Sequence, residues 1–294
     1  LADFPPLRTG GGTTPPAGVV IIRRRQRRAG RRAASSTPLR IFRDMTDLIY
    51  EKRNGIAYLT MNRPERRNAM SPRMLVQMAD AWTDIRDDPA VRVAIITGTG
   101  DKAFCSGGDT ELLMPLVNGA RAADDEWEQR FLREEPRITQ TAFLNPFAIY
   151  KPIIAAVNGA AVSGGCELLQ GTDIRIAAAT ARFGLREVPN GILPAGGSLV
   201  RLQRQIPYCK AAEMILLGDL ISAEEAWRIG LVNELVEPGR VMQRAEEVAL
   251  RIAGFSPLAV QKSKEAMYRS QSSPMEEACR IQQQCWEDVV AGMS

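Results

Sequence analysis

Residues 157–167 read Val157-Asn158-Gly159-Ala160-Ala161-Val162-Ser163-Gly164-Gly165-Cys166-Glu167, and the apolar run 152–157 feeds directly into them. An unbroken apolar run that stops at Asn-Gly reads as a buried strand ending in a turn. Ser163-Gly164-Gly165 then leads into Cys166-Glu167-Leu168-Leu169, which opens a helix. Glycine at a strand-to-helix junction lets another molecule approach the backbone closely. The first N–H groups of a helix have no intrahelical partner and lie at the positive end of its dipole. Gly164 N–H is therefore a candidate donor to a developing oxyanion, with Glu167 one turn further on. An ordinary tight turn with a solvated Glu167 reads the same stretch, and from this stretch alone it is the commoner case.

Working outward, the 294 residues are 45% hydrophobic and 24% charged, an ordinary soluble composition with length for one large domain or two smaller ones. No apolar run reaches the roughly 18 residues of a membrane span, so no membrane partner is expected. Five cysteines are scattered with no CxxC pair, which argues against a disulfide framework or a metal site and fits a reducing, cytoplasmic setting. The chain contains 0 histidines. That excludes Ser-His-Asp and Cys-His catalysis, histidine metal sites and a histidine proton shuttle. Acid–base chemistry falls to Asp, Glu, Lys, Tyr or Cys.

Net charge divides unevenly. Residues 1–44 carry ten Arg and no Lys against Asp3 and Asp44, a net +8, which leaves −4 on residues 45–294 from the total of +4. With its GGG, its Pro-Pro pairs and the run Arg23-Arg24-Arg25-Gln26-Arg27-Arg28, this segment offers no face to bury and reads as a disordered Arg-rich tail. Three readings of it stand together: an organelle transit peptide, a nucleic-acid-binding arm, or extra sequence ahead of a natural start at Met45.

From Leu48 the pattern sharpens. Residues 48–52 and 56–61 flank Asn54-Gly55, a hairpin signal. Ser71 caps a helix whose face carries Met74, Met78, Ala81 and Trp82. Residues 91–97 and 173–178 read as strands. Residues 98–109, GTGDKAFCSGGD, read as a glycine-rich loop without the GK[ST] ending of a phosphate loop. Residues 110–150, with Trp127, Phe131, Phe143 and Phe147, read as helices able to wall a pocket. Residues 183–198 read as a loop carrying Glu187. From Leu199 the chain is mainly helical, with the apolar run 231–236 set among the helices. The expected organisation is α/β, with a layered core over 45–198 and a helical region over 199–294.

Two glycine turns, Ser106-Gly107-Gly108-Asp109 and Ser163-Gly164-Gly165, each follow a strand and precede a helix. N–H donors converging from them would make an oxyanion hole for an acyl group. Glu167 and Glu187 are a candidate acid and base in a chain without histidine.

At these residues the chain resembles the crotonase (enoyl-CoA hydratase/isomerase) superfamily. The resemblance is carried by Asn62-Arg63-Pro64-Glu65-Arg66-Arg67-Asn68-Ala69-Met70, by Ala103-Phe104-Cys105-Ser106-Gly107-Gly108-Asp109, by residues 151–167 and 183–197, and by Leu217-Gly218-Asp219 with its sequel to Val232. It covers roughly residues 48–292, in the family's order. It implies a spiral of ββα turns with a C-terminal helical region that builds homotrimers or hexamers. It implies a coenzyme A thioester as substrate, with no separate cofactor. By motif position Gly108 and Gly164 supply the oxyanion-hole N–H groups, and Glu167 and Glu187 fall on the two hydratase glutamates. Arg66, Arg67 and Ala69, with Ser106 and Gly107, fall where the family holds the coenzyme; arginine there suits phosphate.

Departures from the family pattern are visible. Gly108 stands where alanine is commoner, which a backbone donor tolerates. Ser163 replaces a frequent glycine. Arg186 replaces a frequent proline beside Glu187, a change expected to alter that carboxylate and the pocket shape. The family commonly continues past this chain's last residues with a further helical stretch, so weaker trimer packing is expected here.

The leading expectation is hydration of a 2-enoyl-CoA, with Glu167 as base and Glu187 as acid. Within the class the alternatives are a Δ3-Δ2 enoyl-CoA isomerase or a specialised dehydratase of the carnitinyl-CoA kind; having both glutamates favours hydration. An RNA-binding crotonase homologue is the reading the arginine tail motivates, and the −4 of the body argues against nucleic acid as a partner. A catalytically silent assembly partner is the third.

Overall fold

Asn54 and Gly55 both take positive φ, 54° and 74°, the backbone that a two-residue hairpin turn requires. They join β1 (Leu48–Arg53) to β2 (Ile56–Met61) in antiparallel register, Leu48 opposite Met61 and Arg53 opposite Ile56. The structure is a computed structural model that describes residues 46–293, so the expectation of a disordered tail over 1–44 lies outside the described residues. Ser71 caps α1 (Pro72–Asp87), its hydroxyl accepting the Met74 N–H at 3.0 Å. Met74, Met78, Ala81 and Trp82 are all buried on one face, as a 3.6-residue period demands.

A two-strand beat then repeats. β3 (Val93–Gly98) is followed by the short β4 (Ala103–Cys105) and by α2 (Leu113–Val117), α3 (Glu126–Glu134) and α4 (Arg137–Ala142). β5 (Ile153–Val157) is followed by β6 (Ala160–Val162) and α5 (Gly164–Leu169). β7 (Ile174–Ala178) is followed by β8 (Arg182–Gly184) and α6 (Ser198–Gln205). The remaining elements are α7 (Tyr208–Leu217), β9 (Ile221–Ser222), α8 (Ala223–Arg228), β10 (Glu234–Val236), α9 (Val241–Ala253), α10 (Pro257–Ser270) and α11 (Met275–Ala291).

The first strand of each unit enters one sheet and the second enters another. The larger sheet runs β1-β2-β3-β5-β7-β10, parallel from β2 onward. The smaller runs β4-β6-β8-β9, with only its last pair antiparallel. Parallel strands covered on both faces need near-continuous apolar sequence, and every residue of β3 and β5 is buried.

Two stretches read as loops hold more structure than expected. Residues 98–109 contain β4, and 183–198 hold the end of β8 and a 3-10 turn over Val188–Asn190. Strands of three residues are too short to show a period. The apolar run 231–236 supplies β10, which pairs parallel to β7, and α9 packs on β3, β5 and β7. The later chain thus returns to the core.

Candidate active site

β4 and β6 pair in parallel, Ala103 with Ala160 and Cys105 with Ala161, so the turns that follow them lie side by side. Gly107 has φ +104°, and a Cβ there would stand 2.9 Å from Ser163 Cβ and 3.3 Å from Gly164 N. Gly165 packs on the preceding unit so closely that a Cβ would lie 2.2 Å from the Cys105 carbonyl oxygen. Met70 N–H donates to the Gly107 carbonyl at 2.8 Å, and Asp109 N–H donates to the Met70 carbonyl at 2.9 Å. That bridge holds the first turn in place without using the Gly108 N–H. Neither Gly108 N–H nor Gly164 N–H donates to an acceptor among the described residues. Gly164 is the first residue of α5, where a free N–H is built into the helix.

Glu167 lies on α5 and Glu187 in the turn between β8 and α6. They are 3% and 7% exposed. The Ser198 N–H donates to Glu167 Oε1 at 3.1 Å. Burial raises the Glu167 pKa, against the Ser198 and Gly196 N–H groups, the Ser198 hydroxyl and the Arg201 charge. Glu187 Oε2 is buried with no partner among the described residues. Burial first, and then the charge of Glu167, push Glu187 up to about 7. The structure therefore brings the two glutamates into one electrostatically coupled site and gives each a different environment.

Four residues of this site lay outside the sequence-derived set. Arg201 donates through Nη1 to the carbonyls of Phe143 (3.1 Å) and Leu144 (3.2 Å), and through Nη2 to those of Glu167 (2.9 Å) and Gly196 (2.8 Å). A Cβ on Gly164 would meet Met70 Cε at 2.9 Å and Phe143 Cε1 at 3.3 Å, so these two side chains wall the second turn. Ser198 is the fourth, with its N–H on Glu167. Met70 closes a quoted motif and Phe143 belongs to the aromatic group of 110–150. Ser198 and Arg201 sit at the end of a loop and the start of a helix that short-range pattern does not reveal.

The arginine turn separates its members. Arg66 is held by Asp109 at 3.3 Å and Glu111 at 2.7 Å. Burial alone would raise the Asp109 pKa, but Arg63 and Arg66 outweigh it and hold the carboxyl low. Arg67 is exposed, in left-handed conformation with φ 53°, and no carboxylate among the described residues pairs with it. It lines a cavity of about 140 Å³ with Asn68, Thr99, Asp101 and Lys102. Ser106 N–H donates to the Arg67 carbonyl at 3.1 Å, tying this turn to the first glycine turn. Ala69 is buried and its carbonyl accepts from Arg63. A larger cavity of about 380 Å³, lined by Leu144, Gln170, Arg201, Arg204, Lys264 and Tyr268, includes neither glutamate.

No helix among the described residues is long and apolar enough to cross a membrane. None of their His, Cys, Asp and Glu side chains cluster as a metal site. A spiral of strand pairs feeding two sheets, with two glycine turns and two buried carboxylates at the ends of the second strands, defines an enzyme of the crotonase fold. The sequence profile described as "Enoyl-CoA hydratase/isomerase" matches residues 51–293. An (E)-benzylidenesuccinyl-CoA hydratase of Thauera aromatica is 38% identical over 236 residues, 80% of this chain and 88% of that protein. A crotonyl-CoA hydratase of Syntrophomonas wolfei is 39% identical over 236 residues, 80% and 86% of the two chains. The crystal structure of an enoyl-CoA hydratase from Bacillus anthracis superposes with a TM-score of 0.74 at 30% identity, covering 83% of this chain and 91% of that one. The chain belongs to the enoyl-CoA hydratase/isomerase family.

Proposed function

We propose that the protein adds water, in syn fashion, across the double bond of a 2-enoyl-CoA thioester. The observation that carries this reading is the pairing of Glu167 and Glu187, both buried and coupled to each other, beside two backbone N–H groups with no acceptor. Gly108 and Gly164 N–H receive the thioester oxygen. Glu167, bound to the Ser198 N–H, takes a proton from water as the water oxygen bonds to the β-carbon. The electron pair of the double bond moves onto the thioester as an enolate, whose charge the two N–H groups stabilise. Glu187, whose pKa is raised to about 7 so that part of it holds a proton near neutral pH, gives that proton to the α-carbon. No oxidation state changes, so no redox cofactor is needed, and coenzyme A arrives with the substrate. Arg67 and Lys102, at the cavity beside the first turn, are the residues with charge available for its phosphates; Arg66 is committed to Asp109 and Glu111.

Several large apolar side chains are exposed, among them Leu193, Tyr208, Leu216, Trp227, Met267 and Trp286. Such surface supports a homotrimer or hexamer. The net −4 of residues 45–294 supports no nucleic-acid partner, and the absence of paired cysteines among the described residues suits a cytoplasmic setting.

The test is a hydration assay across enoyl-CoA thioesters of increasing chain length, run beside Δ3-enoyl-CoA isomers. Hydration at any chain length supports the reading. Isomerisation with no hydration replaces it with the isomerase.

A further inference from the structure

Phe143 stands between the second glycine turn and Glu167. Its ring atoms Cε1 and Cζ lie 3.3 Å from the point that a Cβ on Gly164 would occupy. Its Cδ1 lies 2.8 Å from the corresponding point on Gly196, and Glu167 Oε2 lies 2.8 Å from that same point. One ring therefore borders both an oxyanion-donor glycine and the carboxylate read as the base. Met70 Cε also borders Gly164, at 2.9 Å, but methionine is unbranched and adapts to its neighbours. Phe143 cannot adapt in that way, because the backbone beneath it is pinned. Its N–H donates to the Thr139 carbonyl at 3.0 Å. Trp82 Nε1 donates to the Ala142 carbonyl at 3.2 Å, and Arg201 Nη1 holds the carbonyls of Phe143 and Leu144. Leu144 takes φ 54°, a conformation that a leucine keeps only where its surroundings over-determine it. Its Cβ lies 3.0 Å from the point that a Cβ on Gly171 would occupy, so it packs against bare backbone.

We infer that Phe143 sets the acyl chain length: its ring closes the path of the chain beyond the β-carbon and restricts the substrate to short-chain 2-enoyl-CoA thioesters of the crotonyl kind. The inference rests on the hydration reading, which fixes the order of groups along the site. Arg67 is tied to the first glycine turn through the Ser106 N–H, so the coenzyme end lies there. The thioester oxygen sits between the two turns. The β-carbon lies at Glu167, and the chain that continues past it, away from the coenzyme, meets the ring that borders Glu167. A γ-methyl group ends against that ring in apolar contact. Each further methylene has to displace a side chain that is 9% exposed and held at both neighbouring peptide groups. That displacement cancels the affinity that burying a methylene otherwise adds.

Binding of the saturated thioesters butyryl-, hexanoyl- and octanoyl-CoA tests it, measured by titration calorimetry on the wild type, Phe143→Ala and Phe143→Leu. A chain that finds apolar room gains about fourfold in affinity per methylene. In the wild type the affinity stays level or falls from butyryl to octanoyl. In Phe143→Ala it rises along the series, by on the order of tenfold or more. Phe143→Leu rises by less and keeps an apolar side chain in the core should the alanine variant fail to fold. In hydration of the matching 2-enoyl thioesters, the ratio of kcat/KM for the longest chain over crotonyl-CoA rises in the variants in the same order. That ratio cancels any loss common to all chains from a disturbed Glu167. A wild type whose affinity climbs about fourfold per methylene overturns the inference, as do folded variants that keep the wild-type dependence on length. A length dependence of binding that changes as expected, in a protein that hydrates no enoyl-CoA, supports the role of Phe143 and overturns the hydration reading instead.

Discussion

Arg201 lies behind Glu167, its Nη2 donating to the Glu167 backbone carbonyl at 2.9 Å and to that of Gly196, and its Nη1 to those of Phe143 and Leu144, while its Nε has no partner among the described residues. It is a half-buried cation met by carbonyl dipoles, and burial lowers its pKa. The benefit is geometric: one planar group ties the end of α4, helix α5 and the loop before α6 around a single carboxylate. Lysine cannot span four carbonyls of this spread. Arg201→Lys and Arg201→Met are expected to destabilise the fold by about 2–4 kcal/mol, since several buried carbonyls lose their donor. Activity in the folded fraction should fall through kcat more than through KM, because Glu167 is misplaced while the coenzyme site is untouched. Thermal melts with steady-state kinetics check both; a stable Arg201→Met with unaltered kcat would falsify the role.

The glycine turns carry a contrasting pair of outcomes. A Cβ on Gly108 would meet only the end of the Leu113 side chain, at 3.1 Å, whereas Gly107 combines φ +104° with a Cβ position 2.9 Å from Ser163 Cβ. Gly108→Ala should keep hydration within a few fold, since its N–H is backbone. Gly107→Ala should lose about 10²–10³ in rate, the usual cost of displacing one oxyanion donor. Equal effects of the two substitutions would separate the first turn from the chemistry.

Glu187 also sets a pH dependence of stability. Its pKa in the fold is raised from the ordinary 4.5 to about 7, by burial first and by Glu167 second. The folded state therefore binds the proton more tightly than the unfolded chain. The stabilisation is fully present below the unfolded value and is lost as pH rises through about 7. Glu187→Gln cannot ionise, so its melting temperature should gain on the wild type between about pH 5 and about pH 8. Parallel melting curves of the two proteins over that range would refute the raised pKa.

What the sequence disclosed depended on the length of each signal. The Asn54-Gly55 hairpin and the Ser71 cap are local, and the structure has both, with Asn54 φ 54° and the Ser71 hydroxyl on Met74 N–H. The buried parallel strands were legible from unbroken apolar runs. β4, β6 and β8 have three residues each, too few for any period, although they align the two glycine turns. The carboxylates and turn glycines were visible as motif residues. Their convergence was not, because it depends on the register of β4 against β6 and on Arg201, whose role is spread over four distant carbonyls. The Ser163 hydroxyl accepts the Arg186 N–H at 3.2 Å, a bond between two residues that the sequence showed only as separate departures from a pattern.

The central outcome concerns the two glutamates. Without histidine, proton transfer falls to carboxylates, and Glu167 and Glu187 are the pair that this site buries together. Replacing either with Gln keeps the size and the hydrogen-bonding capacity and removes the titrating proton. General acid–base groups contribute about 10²–10⁴-fold each, so each single variant should lose hydration by that order. Binding of an unreactive acyl-CoA should be nearly unchanged in both, since the thioester oxygen is held by backbone N–H groups. The double variant should lose far less than the product of the single losses, because both acids act on one water and one carbon skeleton. If Glu167→Gln abolished hydration while Glu187→Gln left it intact, a one-glutamate mechanism would replace this one. If Glu187→Gln abolished an isomerase activity that Glu167→Gln spared, the protein would shift the double bond and leave water out of the reaction.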